Sequence, residues 1–169
     1  GDIVEFIRKG IVWEEWLENF KEGLAAPGGK DKMLFDLTIT GPGMFSIKDL
    51  FDLSLELDVR IETKIMFAFH PDIIFSPFAW PKHILARKID ELLEYIEPRA
   101  TNKQSTLINT LREMRNRPSF EEDYPEKFEQ GKKNGKGYQD RLDSIRDEKI
   151  TIADIYKADD ELYEWWTTQ

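Results

Sequence analysis

Two stretches of the chain alternate between apolar and polar positions with a period of two. Residues 33–40 read MLFDLTIT and residues 61–70 read IETKIMFAFH. Because successive side chains of a strand point to opposite faces, each stretch predicts a strand with one apolar face. The opposite face of the pair is predicted to carry the polar side chains of Asp36, Thr38, Thr40, Glu62, Lys64 and His70.

The segment between the two strands predicts a helix. Residues 46–57 place apolar side chains at helical spacing, and Ser46 with Asp49 resembles a capping box. A helix between two strands is the crossover that parallel pairing requires. Parallel sheets are normally apolar on both faces, so the polar face predicts a ligand-facing cleft or the lumen of an open barrel.

Most of the remaining chain predicts helices. Trp13 to Leu24 shows one apolar face, and Pro81 suits the first position of a further helix that Pro98 ends. Thr101 with Gln104 forms a capping box for the next helix. Ile73 to Phe75 predicts a short extended piece. The fold class is therefore a helix-rich α/β protein with a small, mostly parallel sheet of two or three strands.

The chain is expected to divide near Pro118. Residues 1–117 hold the strand–helix units, and residues 118–169 form a helical C-terminal extension whose last helix begins at Thr151. Within the extension, the basic run GKKNGKG at residues 131–137 predicts a flexible loop.

Composition and charge exclude several classes of function. The chain has 169 residues, a net charge of −9 and no cysteine. The negative charge disfavours nonspecific binding to nucleic acid, and no apolar run is long enough for a membrane span. The lack of cysteine removes disulfides, thiolate nucleophiles and cysteine-held metal sites. The cytoplasm is the default compartment.

Three features have both a functional and a structural interpretation. His70, at the end of the second strand, either lines a site or is an ordinary boundary residue, and a metal-dependent hydrolase built on His70, Asp72 and His83 is the weaker form of the first alternative. Asp36 and Lys64 either orient a polar ligand or offset each other's desolvation, which is the favoured interpretation. Gly41-Pro42-Gly43 either presents N–H groups to a ligand or is a plain turn.

The order of these segments resembles the radical SAM family, in which a partial (β/α) barrel binds S-adenosylmethionine. The run Arg8-Lys9-Gly10-x-x-Trp13, continuing to Glu18-Asn19, is similar to a segment around the fourth barrel helix. FDLTIT with SIKDLFDLSLELDV resembles the fifth barrel unit, and KIMFAFHPDIIFSPFAWPKHIL resembles the sixth strand and its continuation. The similarity extends to about Arg117 and is greatest to members with a reduced, twitch-type C-terminal region.

The resemblance implies a set of site residues. Thr40 and Gly41 would contact S-adenosylmethionine at the first strand end, and the backbone from Met66 through Phe67 to Ala68 would approach its adenine. Arg8 would contact the methionine carboxylate or neighbouring acidic groups. Asp36, Lys64 and His70 would face the substrate in the lumen, and no residue of this chain is assigned as catalytic.

The family signature, CxxxCxxC, holds a four-iron, four-sulfur cluster and is missing here because the chain has no cysteine. The chain is therefore expected to be the C-terminal portion of a longer enzyme, inactive alone, with the cluster-binding N-terminal half as its partner. The start at Gly1-Asp2 without a methionine agrees with this expectation. S-adenosylmethionine and the cluster are implied only for the parent.

A noncatalytic interaction or assembly module stays open beside the truncated enzyme, because the chain is acidic and rich in aromatic residues. A homo-oligomer through an exposed sheet edge would fit either the truncated enzyme or the module. Aromatic residues such as Trp80 and the Trp165-Trp166 pair either belong to the core or form an exposed patch that has lost its partner.

Overall fold

The structure, a computed structural model, describes residues 1–67, 72–145 and 150–168. The described strands are β1 (Leu34–Ile39) and β2 (Arg60–Ile65). The described helices are α1 (Asp2–Ile7), α2 (Trp13–Ala25), α3 (Gly29–Lys32), α4 (Ile47–Glu56), α5 (Lys82–Ile96), α6 (Ser105–Asn116), α7 (Phe120–Asp123), α8 (Pro125–Ile145), α9 (Ile152–Tyr156) and α10 (Asp160–Thr167). Short 3-10 turns span Pro42–Ser46, Asp72–Phe75, Pro77–Ala79 and Asn102–Gln104.

The two strands pair in parallel, with α4 as the crossover between them. Their register runs from Leu34 opposite Arg60 to Ile39 opposite Ile65. Phe35, Ile39 and Ile61 are buried on one face, which confirms the predicted alternation. The prediction of an extended piece at Ile73 to Phe75 was wrong, because those residues lie in the 3-10 turn Asp72–Phe75.

Some helix starts carry a side-chain cap and others do not. α5 has none and begins at Lys82, one residue after the predicted start at Pro81. The predicted capping box at Thr101 and Gln104 is confirmed by a Thr101 N–H bond to the Gln104 side chain at 3.0 Å. The predicted box at Ser46 is wrong, although the helix is present. Ser46 Oγ donates instead to the Gly43 carbonyl at 3.0 Å, so it does not cap α4.

The prediction of a flexible loop at residues 131–137 was wrong, because this run lies inside α8. The buried positions of α8 are Phe128, Gly131, Gly135 and Gln139. Their spacing of three, four and four residues places them on one face of a helix. α8 packs against the turn Asp72–Phe75.

The C-terminal helices share the core of the sheet region. α9 packs against the turn Pro42–Ser46 that follows β1, and α10 packs against α9. Tyr156 and Trp166 are buried in the same apolar cluster as Phe51 and Leu85. Among the described residues, no helix has both the length and the apolar character needed to cross a lipid bilayer.

Candidate ligand cleft beside strand β1

A cleft of about 700 Å³ opens along β1. It is lined by residues of α1, the start of α2, the turn Pro42–Ser46 and the first half of α4, and α1 packs against that turn. Its volume lies within the range of small-molecule sites, which is roughly 300–1,000 Å³. The cleft is therefore large enough for a nucleoside-sized ligand or a short stretch of polypeptide.

The floor of the cleft is the outer edge of β1. Five consecutive residues, Leu34 to Thr38, line it. Because successive side chains point to opposite faces of a strand, a cleft that contacts five residues in a row must run along the edge rather than over one face. The described sheet has two strands, so β1 pairs with β2 on one side only.

The main chain of β1 shows which groups reach this outer edge. The Ile39 carbonyl accepts a bond from the Met66 N–H at 3.0 Å, which directs it toward β2. Main-chain groups alternate along a strand, so those of Asp36 and Thr38 point away from β2 and into the cleft. Within the described ranges, these two residues have no main-chain partner on that side.

Aromatic side chains form one wall of the cleft. The rings of Trp13 and Trp16 stack with centroids 5.1 Å apart, and Trp16 contacts Phe20 and Phe35. The Trp13 main-chain N–H donates to a Glu5 side-chain oxygen at 2.9 Å, which joins α1 to the first turn of α2. This wall is therefore held by both aromatic packing and a hydrogen bond between helices.

Charged side chains sit at the rim of the cleft. Lys64 Nζ lies 2.6 Å from Asp36 Oδ2, but the side chains are 67% and 52% exposed. The predicted contact between Asp36 and Lys64 is therefore formed, and it lies in water rather than in a desolvated lumen. Arg8 and Asp49, both exposed, also line the cleft.

The polar groups of the turn after β1 form hydrogen bonds within the protein. Thr40 Oγ1 accepts from the Gly43 N–H at 3.0 Å, and the Gly41 N–H donates to the Phe75 carbonyl at 2.6 Å. These N–H groups are not directed at the cleft. The turn at Gly41-Pro42-Gly43 thus has the hydrogen bonding expected of a plain turn.

Beyond this turn, a buried aromatic junction joins β1 to the C-terminal helices. The Trp80 Nε1–H donates to Tyr156 Oη at 3.1 Å, and Gly41 is so close that a Cβ there would lie 3.0 Å from either atom. Burial raises the pKa of the Tyr156 hydroxyl well above its ordinary value, because the anion would lose its hydration. Trp80 and Trp166 are buried, so neither belongs to an exposed patch.

The structure brings together four of the residues predicted from sequence. Arg8, Asp36, Thr40 and Met66 all line the cleft, and Lys64 contacts Asp36 at its rim. Gly41 lies behind the cleft, in the aromatic junction.

The other predicted residues lie elsewhere. Phe67 is half exposed and packs against Phe78 and Phe120 rather than lining the cleft. Ala68 and His70 lie outside the described residues. His83 Nε2 lies 2.6 Å from a Glu161 oxygen on the α5 surface. The described ranges contain no group of three or more histidine or carboxylate side chains placed to hold a metal ion.

Sequence reasoning missed the two parts of the cleft that lie on helices. The sequence pattern places Trp13 and Trp16 on the apolar face of a helix and Asp49 in a capping box, and neither pattern indicates a cleft. These residues lie close in sequence to Arg8 or to the turn after β1. Closeness in sequence does not by itself show that they line the same cavity.

Comparisons with known proteins supply no relative: no family model, no curated protein and no solved structure matches the chain. A functional assignment therefore depends on the residues of the cleft and on the resemblance of the sequence segments described above.

Proposed function

We propose that this chain supplies part of the barrel wall of a radical SAM-type enzyme, and that its cleft contacts S-adenosylmethionine. The observation that carries the proposal is the meeting of Arg8, Asp36, Thr40 and Met66 in one cleft. The family resemblance implies Arg8, Thr40 and Met66 as ligand contacts, and the strand alternation places Asp36 on the same polar face. The chain is inactive alone in this proposal.

The chemistry of the cleft suits this ligand. The Arg8 guanidinium is a donor fork that matches a carboxylate, as on the methionine end of S-adenosylmethionine. The Trp13–Trp16 wall offers an aromatic surface for a planar base. Asp36 is an acceptor for ribose hydroxyls or for the amino group.

The iron–sulfur cluster does not fit this chain. Such clusters are held by cysteine thiolates, and the sequence contains no cysteine. The reductive cleavage of S-adenosylmethionine is therefore assigned to a cluster on another polypeptide segment, and the residues here bind and orient only.

The first test is genetic. The DNA immediately upstream of the coding segment should encode a CxxxCxxC triad in frame with this chain. An upstream region without the triad would contradict the assignment to the family, whatever the cleft binds.

The second test is binding. S-adenosylmethionine titrated calorimetrically into the cluster-bearing protein should bind, and Arg8→Ala should weaken binding by about tenfold, the usual worth of a charged hydrogen bond. Arg141→Ala is the matched control, because Arg141 is an exposed arginine of α8 and does not line the cleft. Equal losses in both variants would remove Arg8 from the site.

The second candidate function is a noncatalytic interaction module. It is favoured by one observation, the outer edge of β1 that has no main-chain partner among the described residues. An upstream triad distinguishes the two candidates, because an interaction module needs none.

A further inference from the structure

Helix α1 closes the cleft where the cleft meets the turn after β1. α1 packs against both this turn and α2. A Cβ at Gly43 would lie 3.5 Å from Ile7 Cδ1 and 2.7 Å from Thr40 Oγ1, so the Ile7 side chain lies close to the Thr40 hydroxyl. Thr40 lines the cleft but is only 4% exposed. The end of α1 therefore helps to keep Thr40 from water.

The connection from α1 to α2 bends at a glycine. Gly10 is exposed, its φ is +91°, and a Cβ there would meet nothing within 4 Å. Glycine adopts a positive φ readily, whereas other residues seldom do. Because no neighbouring atom packs around Gly10, a change in its backbone angles meets no steric obstacle. The position is suited to act as a hinge for α1.

One side-chain hydrogen bond spans this bend. The Trp13 main-chain N–H donates to a Glu5 side-chain oxygen at 2.9 Å. Trp13 is the first residue of α2, and Val12 before it provides no side-chain cap. Since the first N–H groups of a helix have no partner within it, Glu5 supplies from α1 a cap that α2 otherwise lacks.

Few other contacts hold α1 in place. The helix has six residues, which is less than two turns, and a helix of this length is not stable without tertiary contacts. Phe6 is its buried side chain, whereas Ile3 and Ile7 are partly buried. Segments with little buried apolar surface are the first to open in a native protein. α1 is therefore the part of the cleft lining that can move at least cost.

We propose that α1 is a lid that opens as a unit about Gly10, that the Glu5–Trp13 hydrogen bond is its latch, and that opening exposes the cleft at Thr40. The inference goes beyond both candidate functions and depends on neither, because the opening is a property of the free chain.

Thiol labelling measures the opening directly. The chain contains no cysteine, so one introduced thiol reports on one position. Thr40→Cys places the thiol beside α1, and Ser54→Cys places it at a fully buried position of α4 that does not line the cleft. A maleimide reacts with each, mass spectrometry gives the rate, and division by the rate in urea corrects for intrinsic reactivity. Thr40→Cys should react at least about tenfold faster than Ser54→Cys, and equal corrected rates would overturn the lid.

Two substitutions of similar cost separate lid opening from unfolding. Glu5→Ala removes the latch and should speed labelling of Thr40→Cys about fivefold, the usual effect of losing a helix cap. Ile89→Val trims a fully buried side chain of α5 and should speed labelling of Ser54→Cys about fivefold. It should not change labelling of Thr40→Cys, because the core stays folded when the lid opens.

Either substitution can overturn part of the proposal. If Glu5→Ala leaves the labelling of Thr40→Cys unchanged, the Glu5–Trp13 bond is not a latch. If Ile89→Val speeds the labelling of Thr40→Cys as much as that of Ser54→Cys, the cleft opens only when the whole protein unfolds.

A pair of glycines tests the hinge. Alanine at Gly10 strains the closed form, and the strain is relieved when α1 turns, so Gly10→Ala should speed labelling of Thr40→Cys at least about fivefold. Gly28→Ala is the matched control, because Gly28 precedes α3, has φ +73° and also has free space around it. Turning α1 does not relieve strain at Gly28, so this control should leave the labelling unchanged. Equal effects of the two variants would show that Gly10 is not the hinge.

Amide hydrogen exchange distinguishes a lid from a fraying helix end. The Arg8 N–H is bonded to the Val4 carbonyl at 2.9 Å, and the Trp13 N–H is bonded to Glu5. If α1 opens as a unit, both amides should share one opening equilibrium with the thiol of Thr40→Cys. Different opening equilibria for Arg8, Trp13 and the thiol would mean that α1 frays residue by residue, and would overturn the lid.

Discussion

The side and the end of β1 have opposite characters. At its end, Gly41 packs against Trp80 and Tyr156, and the polar atoms there bond to one another. Along its side, the main-chain groups of Asp36 and Thr38 face a cleft without a protein partner among the described residues. The polar groups of the junction are paired within the protein, whereas the main-chain groups of the outer edge have no such partner among the described residues.

Truncation of the junction should have the largest effect on stability. Tyr156→Ala removes a fully buried aromatic ring that contacts Trp80 and Trp166, and it leaves a cavity. We expect the free energy of unfolding to fall by about 3–5 kcal/mol, as for other large aromatic truncations. Urea unfolding followed by circular dichroism measures the change.

The matched control for this variant is Tyr138→Ala. Tyr138 lies on α8 and is 44% exposed, so its truncation should change stability by no more than about 0.5 kcal/mol. Similar losses in the two tyrosine variants would contradict the view that packing at the buried junction contributes strongly to stability.

Adding one methyl group at two glycines should give effects of opposite sign. A Cβ at Gly41 would lie 3.0 Å from both Trp80 Nε1 and Tyr156 Oη, so Gly41→Ala should destabilise the protein by about 1–3 kcal/mol. A Cβ at Gly137 would meet nothing within 4 Å, and Gly137 lies inside α8. Gly137→Ala should therefore stabilise the protein by about 0.5–1 kcal/mol.

Thermal unfolding of the two alanine variants, side by side, provides the measurement. The structure has α8 where the sequence predicted a flexible loop. A Gly137→Ala variant that is no more stable than the parent would contradict the helix at this position. A tolerated Gly41→Ala variant would challenge the close packing of the junction.

The contrast between predicted and missed elements has a physical cause. β1, β2 and α4 were predicted because their buried faces consist of apolar side chains that recur at the period of the element. α8 was missed because its buried face is built largely of Gly131, Gly135 and Gln139, which carry no apolar signal. Hydrophobic periodicity reveals the buried face of a helix only where apolar side chains form that face. It does not reveal a face that is buried through glycine.

In the site, too, contacts fixed by neighbouring elements could be predicted from the sequence, and contacts between distant segments could not. The Asp36–Lys64 contact was predictable because strand pairing fixes which side chains are neighbours. The burial of Trp80 was not, because it depends on Tyr156, which is 76 positions away in sequence. The cleft likewise needs α1, β1 and α4 together, so no single motif defines it.

Removing only the hydroxyl from the junction tests its hydrogen bond and its pH dependence. Tyr156→Phe leaves the buried Trp80 N–H without an acceptor, which should cost about 1–3 kcal/mol at pH 7. In the native protein, burial raises the pKa of Tyr156, so the folded state keeps a proton that an unfolded tyrosine loses near its ordinary value of 10.0.

The sign of the pH effect follows from this difference in bound protons. The contribution of Tyr156 is fully present below pH 10 and decreases above it by about 1.4 kcal/mol per pH unit. Tyr156→Phe lacks this term, so the gap in stability between parent and variant should narrow above pH 10. Urea titrations at pH 7 and at alkaline pH measure it, and a constant gap would mean that the hydroxyl ionises normally in the folded protein.

The smallest effect is expected at the rim of the cleft. Asp36 and Lys64 form an ion pair of 2.6 Å, but both side chains are more than half exposed. Such pairs contribute about 0–1 kcal/mol, so a double-mutant cycle of Asp36→Asn and Lys64→Met should give a coupling energy within that range, decreasing as salt is added. A coupling energy above about 2 kcal/mol would mean that the rim is closed from water and belongs with the junction. The expected result leaves Asp36 free to exchange Lys64 for a ligand at little cost to the fold, which is the property required of a side chain beside an open strand edge.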